Sequence, residues 1–148
     1  MIRPYDPGDR DALLAVWADS AAVAHPFWTP ARFEQERRDI VEQFLPAAET
    51  CVFDRNGAVV GFIALLGSEV GGIFVAPQYH GQGIGTALMD WARDSRGLLE
   101  LDVFEANQIG RGFHAAYGFV VVAERVDEAT GQRVLRLRLP PEAREELM

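Results

Sequence analysis

The 148-residue sequence contains one cysteine, no lysine and no apolar run approaching the roughly 18 residues of a membrane span. A lone cysteine cannot form an internal disulfide, and Cys51, inside the apolar stretch CVF, reads as a buried strand thiol rather than a nucleophile. Basic residues are few. Lys plus Arg number 14 against 22 Asp plus Glu, for a formal charge of −8. That balance argues against nucleic acid as a partner, because phosphate binding needs a clustered basic face. It suits a cationic substrate, although acidity also serves solubility. The opening MIRPYDPGDRD lacks the basic-then-apolar plan of a signal peptide, so a cytoplasmic protein with no membrane segment is expected. No repeat or low-complexity tract appears. At 49% hydrophobic and 24% charged residues the composition is that of a globular protein, read as a single domain over 1–148.

What is present is strong periodicity. Leu13, Leu14, Trp17, Ala18 and Ala21 form one helical stripe, and Phe33, Ile40, Val41, Phe44 and Leu45 another. Thr29-Pro30 supplies an N-cap and first-turn pair for the second helix, and Pro46 is expected to stop it. CVFD, the turn Asn56-Gly57 and AVVGFIALL read as a β-hairpin. VGGIFV follows as a strand whose Gly71 and Gly72 mark a bulge or a close approach. Ile84, Ala87, Leu88, Trp91 and Ala92 give a helix packed on a sheet. LLELDVF alternates as a strand, 107–117 is helical with Gly118 as its left-handed end, and FVVVAE and VLRLRL close the chain as strands. The order β, α, α, β, β, β, α, β, α, β, β predicts an α/β fold with a mixed central sheet of about six to seven strands and helices on both faces.

The stretch PQYHGQGIGTALMD places Gly81, Gly83 and Gly85 between a strand and a helix. A strand, a glycine turn and a helix aim free backbone N–H groups at an anion, assisted by the helix dipole. The dinucleotide fingerprint is excluded because Thr86 stands where its third glycine belongs, and the P-loop because no lysine is present. By spelling alone the turn is either an anion cradle or merely a tight connection.

Two blocks decide between these. VAPQYHGQGIGTALM resembles the acetyl-CoA-binding motif of the GNAT superfamily of N-acetyltransferases, and LDVFEANQIGRGFHAAYGF resembles that family's second motif, with its Asn, its helix and its Gly-Phe ending. VDEATGQRVLRLRL and WADSAAVAHPFW resemble segments of a small bacterial subgroup. The resemblance implies the GNAT fold and an acetyl-CoA-dependent transferase with no metal. It implies that Ile73, Phe74 and Val75 pair with the pantetheine arm through their backbone. The amides of Gly81, Gln82, Gly83, Ile84, Gly85 and Thr86 would hold the pyrophosphate, with His80 where the family carries Arg or Gln. Asn107 would touch the cofactor arm, with Phe113 beside it and Arg111 toward its nucleotide end.

On the helix after Asn107, a 100° turn per residue puts Asn107, Arg111 and His114 on one side and Ile109, Phe113 and Ala116 on the other, which predicts the latter as core. His114 stands at the position where the family usually has the tyrosine that protonates the leaving thiolate. Tyr117 is a second candidate for that acid, or a packed aromatic. A base is also needed, because an amine of pKa about 10 is almost wholly protonated at pH 7 and only the free amine attacks. Glu69 is either that base or a solvated residue at a strand start. His25, Phe27 and Trp28, between the first two helices, either wall the acceptor pocket or staple the second helix.

The expected function is therefore direct transfer of acetyl from acetyl-CoA to a primary amine on a small molecule or peptide, by a monomer or homodimer. The alternative is a CoA-binding regulatory module without turnover, suggested by histidine in place of tyrosine.

Overall fold

The computed structural model describes residues 1–140. Seven strands form one mixed sheet: β1 (Ile2–Pro4), β2 (Glu49–Arg55), β3 (Ala58–Leu66), β4 (Glu69–Val75), β5 (Leu99–Phe104), β6 (Val120–Val126) and β7 (Arg133–Leu139). Their spatial order is β1-β2-β3-β4-β5-β7-β6, and only β4 and β5 run parallel.

Local chemistry accounts for most boundaries. The β2–β3 turn works because Asn56 and Gly57 both take positive φ, 55° and 91°, the twist a two-residue hairpin needs. Between Ala64 and Leu65 the β3–β4 register shifts past Gly71, and a Cβ there would lie 3.3 Å from the Phe44 ring, so this glycine serves both bulge and close approach. Helix α1 (Arg10–Ala24) buries Leu13, Leu14, Trp17 and Ala21. Helix α2 (Pro30–Asp39) is capped by Thr29, whose hydroxyl accepts from the Arg32 amide at 3.1 Å.

The second helix differs from expectation at its end. Approaching Pro46, which has no N–H to donate, the ladder widens over Ile40–Phe44 so that Leu45 donates to Ile40. A last turn, α3 (Leu45–Ala47), carries the proline within it.

Helix α4 (Ile84–Arg96) packs Ile84, Leu88, Met89 and Ala92 on one face of the sheet, and α1 and α2 cover the other with a second apolar cluster around Trp17, Val52 and Phe62. Each large side chain so buried contributes roughly 1.5–3 kcal/mol. Cys51 lies within the first cluster, and burial pushes its thiol up to about 11, which leaves it without thiolate at neutral pH. No helix among the described residues is long and apolar enough to cross a membrane.

Helix α5 (Gln108–Tyr117) corrects the face assigned from its sequence. His114 is its buried residue, while Ile109 is 52% exposed and Ala116 is also exposed. Gly110, Phe113, His114 and Tyr117 form the inward stripe at i, i+3, i+4 and i+7, and Phe113 and Tyr117 pack against the α4 side of the core.

Candidate functional site

The site begins where the sheet fails to close. β4 pairs fully with β3 but meets β5 only at Glu69 and Glu100. Beyond that pair the parallel strands part, leaving one edge of β4 without a strand partner. An unpaired edge is a ready partner for an extended ligand.

Two cavities open into this wedge. One, of about 340 Å³, is lined by Ile73 and Val75 of β4, by Tyr79, His80, Gly81, Gly83, Ile84, Gly85 and Thr86, and by Asn107, Ile109, Gly110, Phe113 and His114 around α5. The other, of about 240 Å³, is lined chiefly by aromatic and apolar side chains, among them Trp17, Trp28, Phe44, Phe62, Phe74 and Phe104, with His25, Glu36 and Asp102. Ile73, Asn107 and His114 line both, so the cavities meet there.

The glycine turn is built for close approach. Gly81 and Gly83 hold φ of 80° and 82°, and a Cβ at either would point into open space. Gly83 is the N-cap of α4, so the first amides of that helix and its positive dipole end face the larger cavity. Gly85 serves packing: a Cβ there would lie 3.2 Å from the Phe113 ring. Gly83→Val is expected to destabilise the fold by about 1–2 kcal/mol through its left-handed backbone and to weaken acetyl-CoA binding about tenfold or more by obstructing the turn. Urea midpoints and titration calorimetry read the two effects separately.

His80 turns back on the strand, with Nε2 2.9 Å from the Val75 carbonyl, which also accepts from Ser20 Oγ at 2.8 Å. Of the three residues expected to pair with a pantetheine arm, Val75 thus has its carbonyl already engaged. Asn107 caps α5, its Oδ1 accepting from the Gly110 amide at 2.9 Å, and so fixes the corner where the cavities meet.

His25 and His114 share one electrostatic character. They are 8% and 6% exposed, burial lowers each from 6.5 to about 4, and Nδ1 of each is buried without a partner. Both are neutral at pH 7. Because Nδ1 has no acceptor for a proton, the tautomer with the proton on Nε2 is favoured. His25 stacks on Trp28 at 4.3 Å and meets Phe27 and Phe104 edge-on at 5.8 and 5.2 Å. Phe27 lies against Phe104 at 5.1 Å, so the three residues expected over the acceptor pocket form one aromatic group.

Besides Phe27 and Gln82, which line neither cavity, three other expected residues fall outside both. Glu69 is gripped by Arg136, with Nη1 to Oε2 at 2.7 Å and Nη2 to Oε1 at 2.5 Å. Tyr117 donates its hydroxyl to Asp90 at 2.5 Å under the Arg93 guanidinium, burial together with that carboxylate raises its pKa, and its ring packs against the core. Arg111 donates to the Glu105 carbonyl at 3.0 Å and faces an outer groove beside Val121.

The smaller cavity contains groups the sequence did not reveal. Glu36 lies on α2 with Oε1 2.5 Å from Arg32 Nη2, and burial raises its carboxyl despite that cation. Asp102 lies on β5, 3.1 Å from Arg125 and 3.3 Å from Arg136. Nothing in helical or strand periodicity marks either as different from a solvated carboxylate. Trp28 Nε1, like Nδ1 of the two histidines, is buried without a protein partner, so unmet hydrogen-bonding capacity gathers around this cavity.

Comparison with known proteins agrees with this geometry. The profile of the acetyltransferase (GNAT) family matches residues 14–119. The chain is 32% identical over 124 residues to peptidyl-lysine N-acetyltransferase YiaC of Escherichia coli (strain K12), covering 82% of this chain and 84% of the relative. It is 32% identical over 114 residues to peptidyl-lysine N-acetyltransferase YjaB of the same organism, covering 76% and 77%. The solution structure of apo YjaB from Escherichia coli matches with a TM-score of 0.81 at 29% identity, over 93% of this chain and 95% of that one. The fold is also shared with Salmonella typhimurium yncA, whose structure was determined with acetyl-CoA, at a TM-score of 0.68 and 19% identity over 96% and 94% of the two chains.

Proposed function

Because the chain belongs to the acetyltransferase (GNAT) family and is an N-acetyltransferase, we propose that it takes acetyl from acetyl-CoA and passes it directly to a primary amine, a peptidyl lysine being the favoured acceptor. The observation that carries this reading is the meeting of two cavities at Ile73, Asn107 and His114, which lets donor and acceptor be bound at once.

The residues on the larger side fit acetyl-CoA. Open space over Gly81 and Gly83 and the start of α4 suit a diphosphate, and the free edge of β4 suits a pantetheine arm. Bound there, acetyl-CoA supplies an activated thioester. No nucleophile of the protein is required, and buried Cys51 is not a candidate for one.

On the other side, Glu36 and Asp102 attract an ammonium group, while Trp28 and Phe104 offer ring faces to its alkyl stem and charge. These carboxylates are arginine-paired as Glu69 is, but unlike Glu69 they line the cavity and are positioned to take the amine's proton through water. His114 acts as a neutral donor: its Nε2–H hydrogen-bonds the sulfur as negative charge develops, whereas imidazolium acid chemistry is opposed by its burial. The names of the relatives support a lysine acceptor, and the acidic lining agrees with it.

Purified protein, acetyl-CoA and a panel of lysine peptides, free amino acids and polyamines test the proposal by CoA release and product mass. Lysine peptides should yield an ε-acetyl product at the highest kcat/KM. Transfer to none of the panel would remove the proposed acceptor, and preference for polyamines would replace it.

A further inference from the structure

Arg55 ends β2 beside the hairpin turn, remote in sequence from both family motifs, yet it touches the glycine turn twice. Its Nη1 donates to Gln82 Oε1, and its guanidinium carbon sits 5.4 Å from the centroid of the Tyr79 ring. Gln82 belongs to the turn, and Tyr79 lines the larger cavity. Arg55, Gln82 and Ile84 also share a shallow cleft, and Ile84 lines both that cleft and the cavity.

The charge pattern around this contact is unusual for so acidic a protein. Among the described residues Arg55 forms no ion pair with a carboxylate. Its neighbour Asp54 is occupied by Arg3 at 3.0 Å and by the Gly57 amide at 2.7 Å. From Ala76 to Ala87 the turn contains no arginine or lysine, and Arg111 faces away. Among the described residues, the turn thus has beside it a guanidinium that no carboxylate neutralises, delivered by the hairpin. A guanidinium matches phosphate oxygens in both charge and fork geometry, and a ring face holds it without consuming its donors.

We infer that Arg55 is the counter-charge for the phosphate groups at the nucleotide end of acetyl-CoA, held in readiness by Tyr79 and Gln82. This rests on the larger cavity being the acetyl-CoA site. Such a ligand carries both a diphosphate and a 3′-phosphomonoester, either of which offers the same chemistry.

Titration calorimetry of CoA and dephospho-CoA on wild type, Arg55→Gln, Arg55→Lys and the charge control Arg37→Gln, at two salt concentrations, tests it. Arg55→Gln should weaken CoA about tenfold, with a shallower salt dependence, while Arg55→Lys recovers part of the loss and Arg37→Gln stays near wild type. Equal loss for dephospho-CoA assigns the contact to the diphosphate. A loss seen with CoA alone assigns it to the 3′-phosphate. Unchanged affinity in Arg55→Gln overturns the inference, as does weakening with an unaltered salt dependence and a lowered Tm, which would mark a structural role through Gln82. Wild-type protein that binds neither ligand would instead overturn the acetyl-CoA reading itself, and this inference with it.

Discussion

Lowering the pH from about 6.5 to about 4 is expected to remove a large part of the protein's stability. His25 and His114 each titrate near 6.5 when unfolded but near 4 in the folded state, because burial opposes their charge. Between those values the unfolded chain binds more protons, so folding stability rises with pH through the window and is lost as pH falls through it. Each histidine then costs on the order of 3 kcal/mol by the lower end of the window. Two such costs rival the roughly 5–15 kcal/mol total of a small domain. Asp9 and Asp54, held below the ordinary range by Arg3, add their own losses only at still lower pH. Urea midpoints at pH 7, 5.5 and 4.5 measure the slope, and a His25→Phe/His114→Phe double variant should flatten it. A wild-type midpoint that stays level from pH 7 to 4.5 would show that these histidines are not buried in neutral form.

Replacement of His114 by phenylalanine should lower kcat about 100-fold, the size of a lost proton-transfer or charge-stabilising contact. The ring is retained beside Phe113 and Phe119, so acetyl-CoA affinity should stay within a few-fold and Tm should change little. His114→Gln, which keeps an N–H donor, should recover part of the rate. The wild-type pH–rate profile should show no limb near 6.5, since the group is already neutral from about pH 5 upward. An unchanged kcat would take His114 out of the chemistry. A limb near 6.5 that vanishes in the variant would show instead that imidazolium is the working acid.

Wherever neighbours in sequence are neighbours in space, the chain was readable. Asn56-Gly57 announced its hairpin, Thr29 its cap, and the α4 stripe its buried face. The left-handed backbone of the glycine turn was also readable, because positive φ at Gly81 and Gly83 is a local property. The misreadings lie where distant strands meet. Glu69 reads as a free carboxylate until β7 is placed beside β5, which sets Arg136 near β4 through a register no local pattern encodes. Phe113 packs inward as expected, but the rest of the α5 face was misassigned because the helix packs at the parting of β4 and β5, where a histidine turns inward and an isoleucine lines the larger cavity. Glu36 and Asp102 could be seen to share a cavity only when α2 and β5 were brought to the same aromatic lining.

Simultaneous occupation of both cavities can be measured directly with a conjugate that joins the CoA sulfur, through an acetyl bridge, to the ε-nitrogen of a lysine peptide. Because Ile73, Asn107 and His114 line both cavities, the conjugate should bind at least about 100-fold more tightly than CoA alone, as expected when two linked groups each reach their site. Affinity no better than that of CoA would mean that the aromatic cavity does not receive the acceptor and that the two cavities do not form one active site.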